Sequence, residues 1–454
     1  MSIKSINPYN NQVLKEYTSY STEKLEQMLQ QSEQTFKQWR KTSFAERKKL
    51  MLKAAEVLNS TKQELGKLIS LEMGKPIKDS ISEIEKCAGC CEYYANNADN
   101  YLKEEIIKTD ASKSMIAYHP IGTVLAIMTW NFPFWTVFRF AAPSIMAGNV
   151  GILKHASNVP QCALAIEEVF DKAGFPKGVF QTALIGSEKI NDLISHKVIK
   201  AVTLTGSDIA GAQVASEAGK NIKKAVMELG GSDAFIVRAD VDLEFAVAGA
   251  VKGRFINTGQ SCIASKRFIV NAAIYEKFNE LLVEKVKAMK VGNPLEDGVQ
   301  LGPLARPDLA KSLQEQVNKS VQQGAKVLLE GGVKEKGSAV FYPILLADVK
   351  PGMVAYSEEL FGPVFTIIKA GSDEEAVAIA NDSKYGLGAS IWTKDIVKAE
   401  EMAKDIEAGS VFINNIVKSD SRLPFGGVKH SGFGRELSTV GIREFVNVKT
   451  IWIK

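Results

Sequence analysis

Gly122-Thr123-Val124-Leu125-Ala126-Ile127-Met128-Thr129-Trp130-Asn131-Phe132-Pro133 is where the chain changes its pattern. The unbroken apolar run from Val124 to Met128 has the length of a strand buried on both faces, and it ends in a polar turn at Asn131. Similar short runs follow at Gly151 to Leu153 and Val202 to Leu204, separated by helix-like stretches near 134–147 and 159–173. That alternation predicts a parallel sheet covered by helices. Ligands gather at the carboxyl ends of such strands, and Asn131, Lys154 and Thr205 each follow one. A second series, Ala234 to Val237, Phe268 to Val270, Val364 to Ile368, Ala389 to Trp392 and Val411 to Ile413, predicts a second α/β unit, with the active site in the cleft between the two.

Upstream, Leu25, Met28, Leu29, Phe36 and Trp39 share one helical face between Ser21 and Arg40. Ser43 and Glu46 have capping-box spacing before another apolar periodicity, so the first hundred residues read as mostly helical. Between Asn100 and His119 this periodicity weakens and charge rises, as suits a protruding strand pair. No internal repeat or low-complexity tract is visible.

A length of 454 residues predicts two or three domains. Lys and Arg number 56 against 52 Asp and Glu, a net +4 spread without a basic run, which excludes a nucleic-acid partner from the expectation. No apolar stretch approaches membrane length and the first residues form no secretory h-region, so a soluble cytoplasmic protein is expected. Five cysteines in an odd count suit a reducing compartment. Cys87, Cys90 and Cys91 lie in helix-like sequence without a second ligand pair, and no metal is expected.

Chemistry concentrates in Asn257-Thr258-Gly259-Gln260-Ser261-Cys262, a polar loop that delivers one cysteine between apolar segments. Alone, such a cysteine reads as a small buried hydrophobe. Its company points instead to a nucleophile: Glu228-Leu229-Gly230-Gly231 supplies a carboxylate, and Asn131 supplies an amide donor suited to an oxyanion. Thr205-Gly206-Ser207, with Gly211 beyond, follows a strand and opens a helix, which suits a phosphate.

With Glu359-Leu360-Phe361-Gly362-Pro363-Val364 and Pro424-Phe425-Gly426-Gly427, these motifs make six in order, and nearly the whole chain resembles the NAD(P)-dependent aldehyde dehydrogenase superfamily, nearest the short bacterial succinate-semialdehyde dehydrogenases. The resemblance implies two Rossmann-type α/β domains with a strand arm. A dinucleotide-binding domain would take 1–100 and 121–227, a catalytic domain 228–430, and an oligomerisation arm 101–120 with 431–454. It also implies Cys262 as nucleophile, Glu228 as the base that hydrolyses the thioester and Asn131 as oxyanion donor. Trp130, Leu229, Glu359 and Phe361 would flank the nicotinamide half of the cofactor, with Gly206, Ser207 and Gly211 at the phosphates, in a homodimer or homotetramer.

Departures from the family pattern refine the expectation. Ser157 stands where a glutamate commonly grips the adenosine 2′-hydroxyl; its lack of charge, with Lys154 nearby, predicts NADP over NAD, unless Ser157 is only a surface residue at a helix start. Arg139 matches a carboxylate-binding arginine, and Lys418-Ser419 lies near the substrate mouth, so a small aldehyde with an acidic tail is expected. Succinate semialdehyde leads, with glutarate semialdehyde or neutral aldehydes as rivals. Arg139 could instead be a structural ion-pair partner, and Ile256 replaces a second arginine of some relatives. Ala264 replaces a second cysteine of others, which removes an intramolecular disulfide switch. From other classes, a non-catalytic binding protein leaves the intact Cys262, Glu228 and Asn131 unexplained, and a thiol esterase leaves the cofactor motifs unexplained.

Overall fold

The computed structural model describes residues 2–454. A hairpin of Ser2–Ile6 and Val13–Thr18 precedes three long helices, Thr22–Trp39, Phe44–Met73 and Ile77–Tyr101. Ser43 closes a capping box: Glu46 N–H donates to its hydroxyl at 3.2 Å, while its own N–H donates to the Glu46 carboxylate at 2.7 Å. The second helix stops at Gly74, whose φ of +83° is open to glycine at little cost. Cys87, Cys90 and Cys91 are buried in the third helix, which packs on the second.

A six-stranded sheet then forms in the order Gly432–Phe433, Lys224–Glu228, Ile199–Thr205, Thr123–Ile127, Val150–Lys154 and Phe180–Thr182. Its last five strands are parallel, and every residue of Thr123–Ile127 and Val150–Lys154 is buried, as their unbroken apolar runs require. The first strand departs from this pattern: it comes from near the chain's end and pairs antiparallel with Lys224–Glu228.

A seven-stranded sheet follows in the order Lys326–Leu329, Ile344–Ala347, Val364–Ala370, Ser265–Asn271, Asp233–Val237, Gly388–Trp392 and Ser410–Ile413, with only the first strand antiparallel. Glu228 ends a strand of one sheet and Asp233 begins a strand of the other, so residues 229–232 alone link the two there. Carboxyl ends of the first sheet consequently meet loops that enter the second.

Val446–Ile453 pairs antiparallel with Lys113–Pro120 along its full length, and Glu105–Ile106 adds a short third strand. Val448, Trp452 and Ile453 on this ribbon are about half exposed, at 59%, 51% and 46%. Among the described residues no helix is long and apolar enough to cross a membrane.

Asn149 fastens the ribbon to the parallel sheet. Its buried side chain accepts from the N–H groups of Ile121 at 2.8 Å and Gly122 at 3.1 Å, and donates to the Phe445 carbonyl at 2.7 Å. Asn149→Ala leaves three buried polar groups without a partner and should cost about 3 kcal/mol. Urea unfolding checks this, and a loss below about 1 kcal/mol contradicts the fastening role.

Candidate active site

The helix Leu243–Arg254 runs into a turn at Ile256–Gly259 in which Asn257 (φ 51°, ψ 46°), Thr258 (φ 57°, ψ 30°) and Gly259 (φ 80°) are all left-handed. Two non-glycine residues in that region cost about 1–2 kcal/mol each, so surrounding bonds must hold them. Arg254 supplies several. Its buried guanidinium donates to the carbonyls of Ser265 and Gly259 at 2.8 Å, Gly362 at 2.6 Å and Leu360 at 3.1 Å. A Cβ at position 259 would collide with the Gly362 carbonyl, so glycine is required there. Past the turn, Lys266 Nζ donates to the carbonyls of Ser261 at 2.8 Å, Cys262 at 2.9 Å and Ala264 at 3.2 Å, and pairs with Glu359 at 3.2 Å.

Asn131 is fixed against this turn from the other sheet. Its Nδ2 donates to the Gln260 carbonyl at 3.0 Å, while its main-chain carbonyl accepts from Asn257 Nδ2 at 2.7 Å. Since an amide carries two N–H bonds, one stays free. Behind it, the Phe134 and Trp135 N–H groups donate to Glu83 at 2.9 and 3.0 Å, and Glu83 is paired with buried Lys75.

Cys262 and Asn131 line one cavity of about 350 Å³. Burial pushes the Cys262 thiol up to about 12, with Arg139 and Lys266 pulling the other way, so the thiol is protonated in the free protein at neutral pH. Glu228 is absent from the cavity wall. Its carboxyl is buried beside Gly426, where a Cβ would come within 2.5 Å of Oε1, and burial together with Glu436 raises its pKa.

On the sheet side, Trp130, Gly206, Ser207 and Leu229 share the cavity with Glu359 and Phe361, whose ring meets Trp130 edge-on at 5.8 Å. Ser207 caps the thirteen-residue helix Asp208–Lys220, accepting from Ala210 N–H at 3.2 Å. The acidic Asp208 in that first turn is paired with Lys384 at 2.7 Å, so its repulsion of an anion is relieved. Gly211 is taken up by packing, since a Cβ there would strike Leu229. Lys154, buried at a strand end, and Ser157, exposed three residues later, lie outside this cavity; burial lowers the Lys154 pKa, opposed by Glu188.

At the opposite end, Arg139, Lys418 and Ser419 line the wall. Arg139 is buried in an ion pair with Glu436, donates to Thr205 Oγ1 at 3.2 Å and lies over the Phe425 ring at 4.6 Å. Sequence reasoning missed Arg254, Lys266, Glu436 and Lys86. Arg254 and Lys266, at a helix end and a strand start, look like ordinary surface charge, and only burial distinguishes them. Glu436, from near the chain's end, adjoins no motif that would have marked it.

The aldehyde dehydrogenase family model matches residues 1–451. The chain is 49% identical over 453 residues to a probable NADP(+) succinate-semialdehyde dehydrogenase of Synechocystis, covering all of both chains. It is 43% identical over 456 residues to NADP(+) succinate-semialdehyde dehydrogenase 1 of Mycobacterium tuberculosis, again over the whole of each. Among solved structures, a succinic semialdehyde dehydrogenase from Streptococcus pyogenes in complex with NADP+ superposes with a TM-score of 0.97 at 36% identity, covering 99% of each chain.

The raised Cys262 pKa fixes a pH response. A thiol held near 12 gains thiolate about tenfold per pH unit below that value, so alkylation of Cys262 by iodoacetamide in the free protein should climb from about pH 7 to 10 without levelling. Peptide mass spectrometry follows it, and a plateau near pH 8 would contradict the burial argument.

Proposed function

The chain belongs to the aldehyde dehydrogenase family and oxidises an aldehyde with NAD(P), and from that premise we propose that its aldehyde carries an acidic tail, succinate semialdehyde being the first choice, with NADP preferred over NAD. The observation that carries the substrate reading is the charge of the cavity wall. Lys86, Arg139 and Lys418 line the cavity with a single lining carboxylate, Glu359, which is tied to Lys266, while Arg139 is itself paired with Glu436. An anionic tail gains from such a wall and a neutral chain does not. The names of the relatives from Synechocystis and Mycobacterium tuberculosis agree with this choice.

The cofactor, when bound, supplies the hydride acceptor. Trp130, Leu229, Glu359 and Phe361 would hold its nicotinamide half. Gly206 and Ser207, at a helix N-terminus whose acidic residue is already paired, suit its diphosphate. Lys154 with the uncharged Ser157 suits an adenosine 2′-phosphate better than a glutamate would.

Cys262 loses its proton to solvent and its sulfur adds to the aldehyde carbonyl carbon, the C–S bond forming as the carbonyl π bond opens, which makes a thiohemiacetal anion. The oxygen that turns negative takes hydrogen bonds from the free N–H of Asn131 and the backbone N–H of Cys262, each worth about 3 kcal/mol at this stage. Hydride loss leaves a thioester on Cys262. Glu228, swung on the Gly230–Gly231 link from its buried resting place, removes a proton from the water that releases the acid.

Two further features support the wider reading. The half-exposed Val448, Trp452 and Ile453 suit a strand arm that joins a homodimer or homotetramer. Five free cysteines, four of them buried, suit a reducing cytoplasm.

Steady-state assays of succinate semialdehyde, glutarate semialdehyde and butyraldehyde with each cofactor test the proposal. Acidic aldehydes should exceed butyraldehyde about tenfold or more in kcat/KM, and NADP should exceed NAD by a similar factor. Ser157→Glu should move the preference toward NAD. Equal kcat/KM for acidic and neutral aldehydes would end the substrate reading, and an unmoved cofactor ratio in Ser157→Glu would remove that serine from cofactor choice.

A further inference from the structure

The helix Trp135–Met146 starts just beyond Asn131 without a cap of its own, since Phe134 stands at the N-cap position and offers no side-chain acceptor. The cap is borrowed. Glu83, 51 residues before Phe134, takes the Phe134 and Trp135 N–H groups on one carboxylate oxygen at 2.9 and 3.0 Å, and pairs through the other with Lys75. Both side chains are buried, with Lys75 1% and Glu83 4% exposed. The Lys75 ammonium also lies 3.8 Å over the ring of Phe132, the residue next to Asn131.

The other polar groups of this turn have fixed partners as well. The Asn131 carbonyl accepts from Asn257 Nδ2 at 2.7 Å, that of Phe132 from the Thr136 N–H and hydroxyl at 3.0 Å each, and that of Pro133 from His155 Nε2 at 2.9 Å. His155 Nδ1 accepts from the Ala156 N–H at 2.8 Å, which puts the ring proton on Nε2. Glu83 is the one charged acceptor of the set, and bonds to an ionised acceptor are about twice as strong as neutral ones.

The short turn that carries Lys75 is in turn set against the nucleophile's loop. A Cβ at Gly302 would collide with the Gly74 carbonyl, while the Gly302 N–H donates to Thr258 Oγ1 at 3.1 Å and the Ala305 N–H to Gln260 Oε1 at 2.8 Å. Lys75 and Glu83 thus tie the Asn131 turn to the same framework that delivers Cys262.

We propose that Glu83, held by Lys75, is a positioning residue for the steps up to the thioester: it fixes the start of the Trp135–Met146 helix so that the free N–H of Asn131 meets the aldehyde oxygen. The assignment rests on Asn131 as the oxyanion donor. A pair serving only to hold helices together would show its loss in stability and leave the cost of Asn131→Ala unchanged. Glu72 provides the comparison, since this buried carboxylate caps the neighbouring helix Pro160–Lys172 in the same way, accepting from the Gln161 and Cys162 N–H groups at 3.0 and 2.8 Å.

Reduction of saturating NADP is followed in a single turnover, with enzyme in saturating excess over succinate semialdehyde, so that hydrolysis and partial loss of folded enzyme do not enter the rate constant. Asn131→Ala alone should slow it about hundredfold. Lys75→Met/Glu83→Leu, which removes both charges and the acceptor, should slow it about thirtyfold, and adding Asn131→Ala should then cost less than about fivefold more. Lys75→Met/Glu83→Gln, equally uncharged but with an amide oxygen for the two N–H groups, should return to within about threefold of the wild type. In Glu72→Leu, Asn131→Ala should keep its full cost. A rate in Lys75→Met/Glu83→Leu within about threefold of the wild type, or a full cost of Asn131→Ala in that background, overturns the Glu83 assignment and leaves Asn131 as donor. A cost of Asn131→Ala reduced equally by Glu72→Leu overturns it too. If Asn131→Ala has no effect in the wild type, both readings fall. Should the double variant not fold, Glu83→Asp carries the same cycle, because it keeps the ion pair and shortens the reach to the N–H groups by one methylene; a loss of about tenfold is expected, and one below about threefold overturns the assignment.

Discussion

One buried guanidinium holds the site together. Arg254 donates to Gly259 in the turn before the nucleophile, to Ser265 at the start of the following strand, and to Leu360 and Gly362 in the loop that carries Glu359 and Phe361. Hydrogen bonds from a charged donor are worth about 1.5–3 kcal/mol each, enough together to outweigh the left-handed backbone of Asn257 and Thr258. The same residue thereby sets the thiol and the Glu359 carboxylate in register, although they come from distant parts of the chain. Asn131 joins from the first sheet through Gln260 and Asn257, so strand ends of two separate sheets converge on one turn.

Burial gives this site its electrostatic character. It raises the pKa of Cys262, Glu228 and Glu359, and brings Asp233 up to about 7, because desolvation penalises every charged form. Cations oppose the effect, Lys266 beside Glu359 and Arg139 near Glu228 and Cys262. Burial thus disfavours the charged form of both the nucleophile and the hydrolytic base. Glu228, lodged beside Gly426 and off the cavity wall, has also to leave its niche before it can serve Cys262. The separation suits two-stage chemistry, since a base lodged against Cys262 throughout would compete with the incoming substrate for space.

Much of the fold could be read from the chain. Val124 to Met128 and Ala234 to Val237 are strands buried on both faces, where nothing but apolar residues is tolerated, and Ser43 with Glu46 marks a helix start by local chemistry alone. The hairpin of Ser2–Ile6 and Val13–Thr18 escaped because most of its residues are exposed and polar, and the antiparallel edge strand Gly432–Phe433 is too short for any periodicity. At the site, Cys262, Glu228 and Glu359 stood out as reactive residues in glycine-containing motifs, and Asn131 as a polar residue just after a buried strand. Arg254, Lys266 and Glu436 did not, since their significance lies in being buried against groups from other parts of the chain. Gly211 shows what sequence alone could not: its missing side chain makes room for Leu229.

The central claim is that a sulfur atom carries the acyl group between hydride loss and hydrolysis, with Glu228 needed only for the second. Rapid mixing of Glu228→Gln with succinate semialdehyde and NADP, followed by acid quench and intact-mass and peptide analysis, tests it most directly. The account predicts about one equivalent of reduced cofactor per subunit and a succinyl adduct on Cys262 that persists. Continued turnover at the wild-type rate with no adduct, or an adduct on another residue, would contradict it.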